Sequence, residues 1–111
     1  MSYTSVPDTP VAGTLLAMTA ASLERCDLDD REIMLARLAA LAAMGAPPLS
    51  YALNAGPAAG SGITLEDAQG ILVAVAPIVG GPRTVEAAAA MADGLGLAIA
   101  LSETELAGEE G

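Results

Sequence analysis

Thr64-Leu65-Glu66-Asp67-Ala68-Gln69-Gly70-Ile71-Leu72-Val73-Ala74-Val75-Ala76-Pro77-Ile78-Val79 is the stretch on which the fold turns. Its second half, Ile71 to Val79, is short, apolar and rich in β-branched residues, and by itself suits a buried strand as well as a helix. The first half decides between them. Thr64 followed three residues later by Asp67 resembles a capping box, in which each side chain accepts a hydrogen bond from the other residue's backbone N–H and opens a helix. A helix begun there carries Ile71, Leu72, Val75 and Ile78 until Val79-Gly80-Gly81 ends it.

Working outward, the flanking segments carry helix punctuation of the same kind. Pro82 stands at the first position of a last helix running through Val85, Met91, Leu95 and Ile99 to about Leu101. Upstream, Thr9 precedes Pro10 as an N-cap, and Val11, Leu15, Leu16, Met18 and Leu23 fit a first helix to about Arg25. Asp27-Leu28-Asp29-Asp30 breaks that helix and starts a second, its acidic residues suiting the positive end of the helix dipole. Ile33, Met34, Leu38 and Leu41 then recur at helical spacing until Gly45. Pro47 and Pro48 cannot continue that helix, but Pro48 can open a short third one over Leu49 to Ala55, interrupted by Gly56-Pro57. Ala58 to Gly62 looks like a flexible connection. The pattern predicts an all-α domain of about five helices over residues 9–101, with a loose arm at 1–8 and an acidic tail at 102–111.

Composition narrows the chemistry. The 111 residues suffice for one domain, and they include no histidine, no lysine and a single cysteine, Cys26. The usual general base, the Schiff-base former and a paired-thiol site are therefore all missing. Fourteen acidic residues against four arginines give a net charge of −10, which repels nucleic-acid phosphates and anionic membrane surfaces. Apolar residues make up 53% of the chain, yet only Tyr3 and Tyr51 are aromatic, so the core must be built from Ala, Leu, Ile, Val and Met. Met18, Met34, Met44 and Met91 are expected as gap-fillers there. A mean hydropathy of +0.54 is high for so small a chain and predicts that apolar surface closes against other copies of itself. No segment has the length of a membrane span, and Met1 to Pro10 has neither a basic nor an apolar stretch, so the expected compartment is the cytoplasm. No His/Cys cluster marks a metal site, and no cofactor is expected.

Three stretches taken together resemble one family. Leu28-Asp29-Asp30-Arg31-Glu32 followed by the apolar Ile33 to Ala43, then Gly62-Ile63-Thr64-Leu65-Glu66-Asp67-Ala68, then Gly80-Gly81-Pro82, are similar in order and spacing to motifs of the carboxymuconolactone decarboxylase family, which includes the alkylhydroperoxidase D-like proteins. The resemblance implies an all-α fold that assembles as a trimer or hexamer. It also implies where a peroxidase site would lie. In that branch a C-x-x-C pair and a histidine follow the helix that Glu32 opens, with one thiolate attacking peroxide and the other resolving it. Here that window, Met44 to Asn54, holds neither cysteine nor histidine. Without two thiols within bridging distance, thiol peroxidase chemistry is closed to this chain alone.

The remaining candidates are few. Glu32 matches a family acid, although a carboxylate in a helix's first turn is stabilising by itself. Ser50, Tyr51 and Asn54 are the only cluster of neutral polar groups in the site-equivalent window; Tyr51 and Asn54, three apart, share a helical face. They could hydrogen-bond a ligand or satisfy buried backbone near the prolines. Arg83 could bind an anionic ligand. Arg37, inside an apolar stretch, should find a partner, either a carboxylate across an oligomer or a bound anion. Cys26, beside Glu24 and Asp27 at a helix end, is no setting for an attacking thiolate. Two functions follow: a self-associating small-molecule-binding or assembly protein without peroxidase chemistry, or a non-redox decarboxylase or isomerase using Glu32, Tyr51 and Asn54, with Ser50 and Arg83 binding a small organic acid or lactone. A third option is a subunit whose site is completed by a separate partner chain.

Overall fold

A computed structural model describes residues 9–96, and within them the chain is helical throughout, with no strand. The helices are α1 (Pro10–Arg25), α2 (Asp30–Met44), α3 (Pro48–Ala52), α4 (Ala55–Gly60), α5 (Leu65–Val79) and α6 (Gly81–Leu95). The arm at 1–8, the tail at 102–111 and the expected extension of the last helix through Ile99 to Leu101 lie outside the described residues.

The punctuation read from sequence forms as expected at most boundaries. Thr9 caps α1 by accepting from the Ala12 N–H at 3.1 Å. A complete capping box opens α2: the Asp29 carboxylate accepts from Glu32 N at 2.8 Å, and the Glu32 carboxylate accepts from Asp29 N at 3.0 Å. The same reciprocal pair, Thr64 with Asp67, opens α5, which settles the ambiguous stretch as helix. Gly45 ends α2 at φ 71°, a left-handed conformation that a side chain would strain.

Two expectations need correction. The third helix is split in two, so the described residues hold six helices in the expected all-α arrangement. Its first part runs Pro48–Ala52 and breaks at Leu53-Asn54, and of the link expected over Ala58 to Gly62, Ala58 to Gly60 belong to α4 while Ser61 and Gly62 form a turn. Pro57 is tolerated in α4 because its missing N–H falls in the first turn, where no intrahelical acceptor exists. Ala58, buried, anchors the turn to the core. The methionines also divide: Met34 and Met91 are buried, whereas Met18 and Met44 are exposed on helix surfaces.

The core brings together Met34, Leu38 and Ala42 of α2, Tyr51 of α3, Ala58 of α4, Ala68, Ile71 and Leu72 of α5, and Ala87 and Met91 of α6. Alanines at the crossings let the helices approach closely. Nowhere is this tighter than between α3 and α6, where a Cβ on Gly94 would run into the Pro48 carbonyl oxygen and Tyr51 Cβ. α2, α5 and α6 pack on one another, while α1 stands apart and buries none of its residues.

Candidate functional site

The site-equivalent window becomes α3 and the turn after it. Two prolines set its direction: Pro47 is extended and Pro48 opens the helix with φ already suited to it. Packing against Gly94 then drives Tyr51 inward. Its side chain is wholly buried, and its hydroxyl has no hydrogen-bond partner among the described residues. Burial pushes the phenol pKa up from its ordinary value, which keeps it neutral. Tyr51 therefore does not satisfy buried backbone near the prolines.

Asn54 lies on the opposite side of the break. Its Nδ2 donates to the Ser50 carbonyl at 2.9 Å, closing the end of α3, and the half-buried side chain lines a cleft of about 760 Å³. α1 forms one wall of this cleft with Leu15, Leu16 and Leu23; α2 forms the floor with Ile33, Met34 and Arg37; Leu53, Asn54 and Pro57 close it from the α3–α4 side. Asp30 and Ser61 add polar groups to its lining. Its volume falls in the range of small-molecule pockets. The lining is chiefly apolar, with a few polar groups able to orient an occupant.

Arg37 is the cation of that cleft. Its Nη2 donates to Ser22 Oγ of α1 at 3.0 Å, and it forms no ion pair with any described carboxylate. The carboxylate partner anticipated for it is not supplied within the described part of the chain.

The other candidates lie elsewhere. Glu32 is exposed, and its carboxylate is engaged by the Asp29 N–H in the capping box. Arg83 belongs to a separate cleft of about 500 Å³, lined by Ala43, Ile78, Val79, Pro82 and Glu86. Its guanidinium donates to the Ala43 carbonyl at 3.4 Å and lies 3.9 Å from Glu86, so it serves the negative end of α2. Cys26 is half-buried at the C-cap of α1. Among the described residues no three acidic or thiol side chains gather as a metal ion would need. Glu32, Tyr51, Asn54 and Arg83 thus do not share one cavity.

Sequence reasoning singled out Asn54 and noticed the unmatched Arg37 but missed the cleft that joins them. A signal was present. Between Pro10 and Arg25 only Glu24 and Arg25 are charged, too few for a helix with one face in the core and the other in water.

The family model for the carboxymuconolactone decarboxylase family matches residues 10–93, from the start of α1 almost to the end of α6. The chain belongs to this family. No curated protein and no solved structure matches it. The matched region includes the Met44 to Asn54 window, which in this chain carries no thiol and no imidazole.

Proposed function

We propose that the chain is a cytoplasmic, self-associating member of its family that works without thiol peroxidase chemistry and holds a small, largely apolar molecule in the cleft between α1 and α2–α4. The observation that carries this is the cleft itself: Leu15, Leu16, Leu23, Ile33, Met34 and Leu53 surround about 760 Å³ with Asn54 and Arg37 in its walls. Loss of the sulfur chemistry leaves such a cavity as the main place where specificity can reside. Binding is favoured over turnover because an acid–base mechanism needs its groups at one reacting atom. Glu32 is occupied in a helix cap, and the Tyr51 phenol is enclosed by the core.

Self-association is supported by the apolar surface. Val11 and Met18 of α1, Leu49 of α3, Val73 and Ile78 of α5 and Val85 of α6 are all more than half exposed. Apolar groups so widely spread on a chain of this size suit burial between copies. No helix among the described residues is long and apolar enough to cross a membrane, so a lipid bilayer is not what covers them as a span.

The test is direct. Mass measurement by sedimentation or native mass spectrometry should give an assembly larger than one chain. The protein should not consume peroxide with a dithiol reductant. A neutral apolar dye such as Nile red should bind with enhanced fluorescence, and Leu16→Glu, which places a charge in the cleft wall, should suppress that binding without unfolding the chain. Dye uptake indifferent to this change would sink the binding reading.

A further inference from the structure

We infer that the cleft selects a medium-chain monocarboxylate, with the carboxylate held by Arg37 and the aliphatic chain lying along Ile33, Met34, Leu15 and Leu16. The inference rests on the cleft being a binding site and adds the class of ligand.

Arg37 carries the argument. It is half-buried on the cleft wall, where its guanidinium offers a bound oxyanion a charge-assisted hydrogen bond. Within the described residues it has one neutral acceptor, Ser22 Oγ, and no carboxylate. Of the other three arginines, Arg31 is paired with Asp67, Arg83 lies beside Glu86 and the end of α2, and Arg25, exposed in the last turn of α1, does not line the cleft. Of the four arginines Arg37 is the one that lines this cleft, and it does so with no described carboxylate beside it. An oxyanion arriving there gains a charge-assisted hydrogen bond without breaking an existing ion pair.

The same walls limit the ligand to one negative charge. Asp30 also lines the cleft, two helical turns before Arg37 and about 10 Å away along α2. A second anionic group near it would be repelled, as it would by the chain's net charge of −10. Between the two charges the floor is Ile33 and Met34, and the facing wall is Leu15 and Leu16. Those surfaces suit methylenes, whose burial against apolar side chains is favourable. Asn54, whose Nδ2 is engaged by the Ser50 carbonyl, has an Oδ1 that accepts no hydrogen bond from the described residues, a neutral acceptor that adds no charge to the wall.

The experiment uses the full chain loaded with Nile red and displaces the dye with decanoate, decanol or decyltrimethylammonium, which share one tail. Decanoate should displace at about tenfold lower concentration than decanol, as expected for one charge-assisted hydrogen bond. Arg37→Gln should abolish that advantage, bringing decanoate and decanol to the same displacing concentration, and Arg37→Lys should retain most of it. Ser22→Ala separates the charge from the α1 contact and should leave the preference intact. Equal displacement by decanoate and decanol, with the dye still bound in the cleft, overturns the inference but leaves the binding reading standing. Tighter displacement by the quaternary ammonium also overturns it, since Asp30 would then govern. If dye enters only after the assembly is dissociated, a second copy is the occupant, and the inference and the binding reading both fail.

Discussion

Arg31 and Asp67, thirty-six residues apart, join the first turns of α2 and α5 through two parallel hydrogen bonds of 2.8 and 2.5 Å. Arg31 also donates to the Gly62 carbonyl at 3.1 Å, so one guanidinium holds both the cap of α5 and the loop leading into it. Asp67 meanwhile accepts from Thr64 N. The motif residues that gave the family resemblance are therefore a latch between two helices, independent of any thiol, and the frame survives without the peroxidase site.

The latch has a pH signature. The Arg31 hydrogen bonds, with the Thr64 cap, hold the Asp67 carboxyl well below the usual carboxylate range. As pH falls, the unfolded chain protonates Asp67 first, at about pH 4, while the folded chain resists. The contribution is thus complete above about pH 4 and is lost as acid approaches the folded value. Thermal melts at pH 7 and pH 3 should show a smaller difference in Asp67→Asn than in the unchanged chain. An identical acid slope in both would mean that the latch does not contribute.

Much of the fold was legible because helix ends are local. Thr64 with Asp67, the acidic start of α2 and Gly45 act within a few residues of themselves, and their pattern survives in one dimension, although the reciprocal bonds between Asp29 and Glu32 were not read from it. The split of the third helix was not legible, because what holds Ala55–Gly60 helical is the burial of Ala58 by distant residues. The candidate site was legible in part for the same reason. Glu32 fitted both a catalytic acid and a stabilising carboxylate in a helix's first turn, and the structure shows that carboxylate in a capping box. Tyr51 and Asn54 share a helical face in sequence, yet the break at Leu53 leaves one in the core and the other on the cleft.

Gly94 is fixed by the approach of α3 to α6. A methyl group there meets the Pro48 carbonyl and Tyr51 Cβ, and backbone cannot step aside as a side-chain tip can. Gly94→Ala should cost about 3 kcal/mol despite alanine's better helix propensity. Chemical denaturation measures it. A neutral or stabilising result would show that the two helices are further apart than described.

Tyr51 offers a change in the opposite direction. Its hydroxyl is enclosed without a partner among the described residues, a state that costs about 1–3 kcal/mol. Tyr51→Phe keeps the ring in place and removes the orphaned group. The variant should be more stable by about 1 kcal/mol, raising Tm by roughly 4–8 °C for a domain of this size. Nile red binding should be unaltered, because Tyr51 does not line the cleft. Loss of stability would reveal a partner for the hydroxyl in the assembled protein and reopen its part in chemistry.

The exposed side of α1 separates assembly from binding. Val11 and Met18 are 71% and 60% exposed and are not among the residues lining the cleft, whose α1 wall is Leu15, Leu16 and Leu23. If copies meet through this helix, Val11→Ser with Met18→Ser removes apolar contact from each interface while the cleft wall keeps its leucines. Each side chain buried there would contribute about 1.5–3 kcal/mol per copy, enough in a symmetric assembly to shift the dissociation constant by orders of magnitude. Sedimentation at falling concentration should then show the double variant dissociating where the unchanged chain does not. Helical circular dichroism should stay constant, because neither residue is in the core. An unaltered mass at every concentration would place the interface on the exposed faces of α5 and α6, where Val73, Ile78 and Val85 become the residues to change.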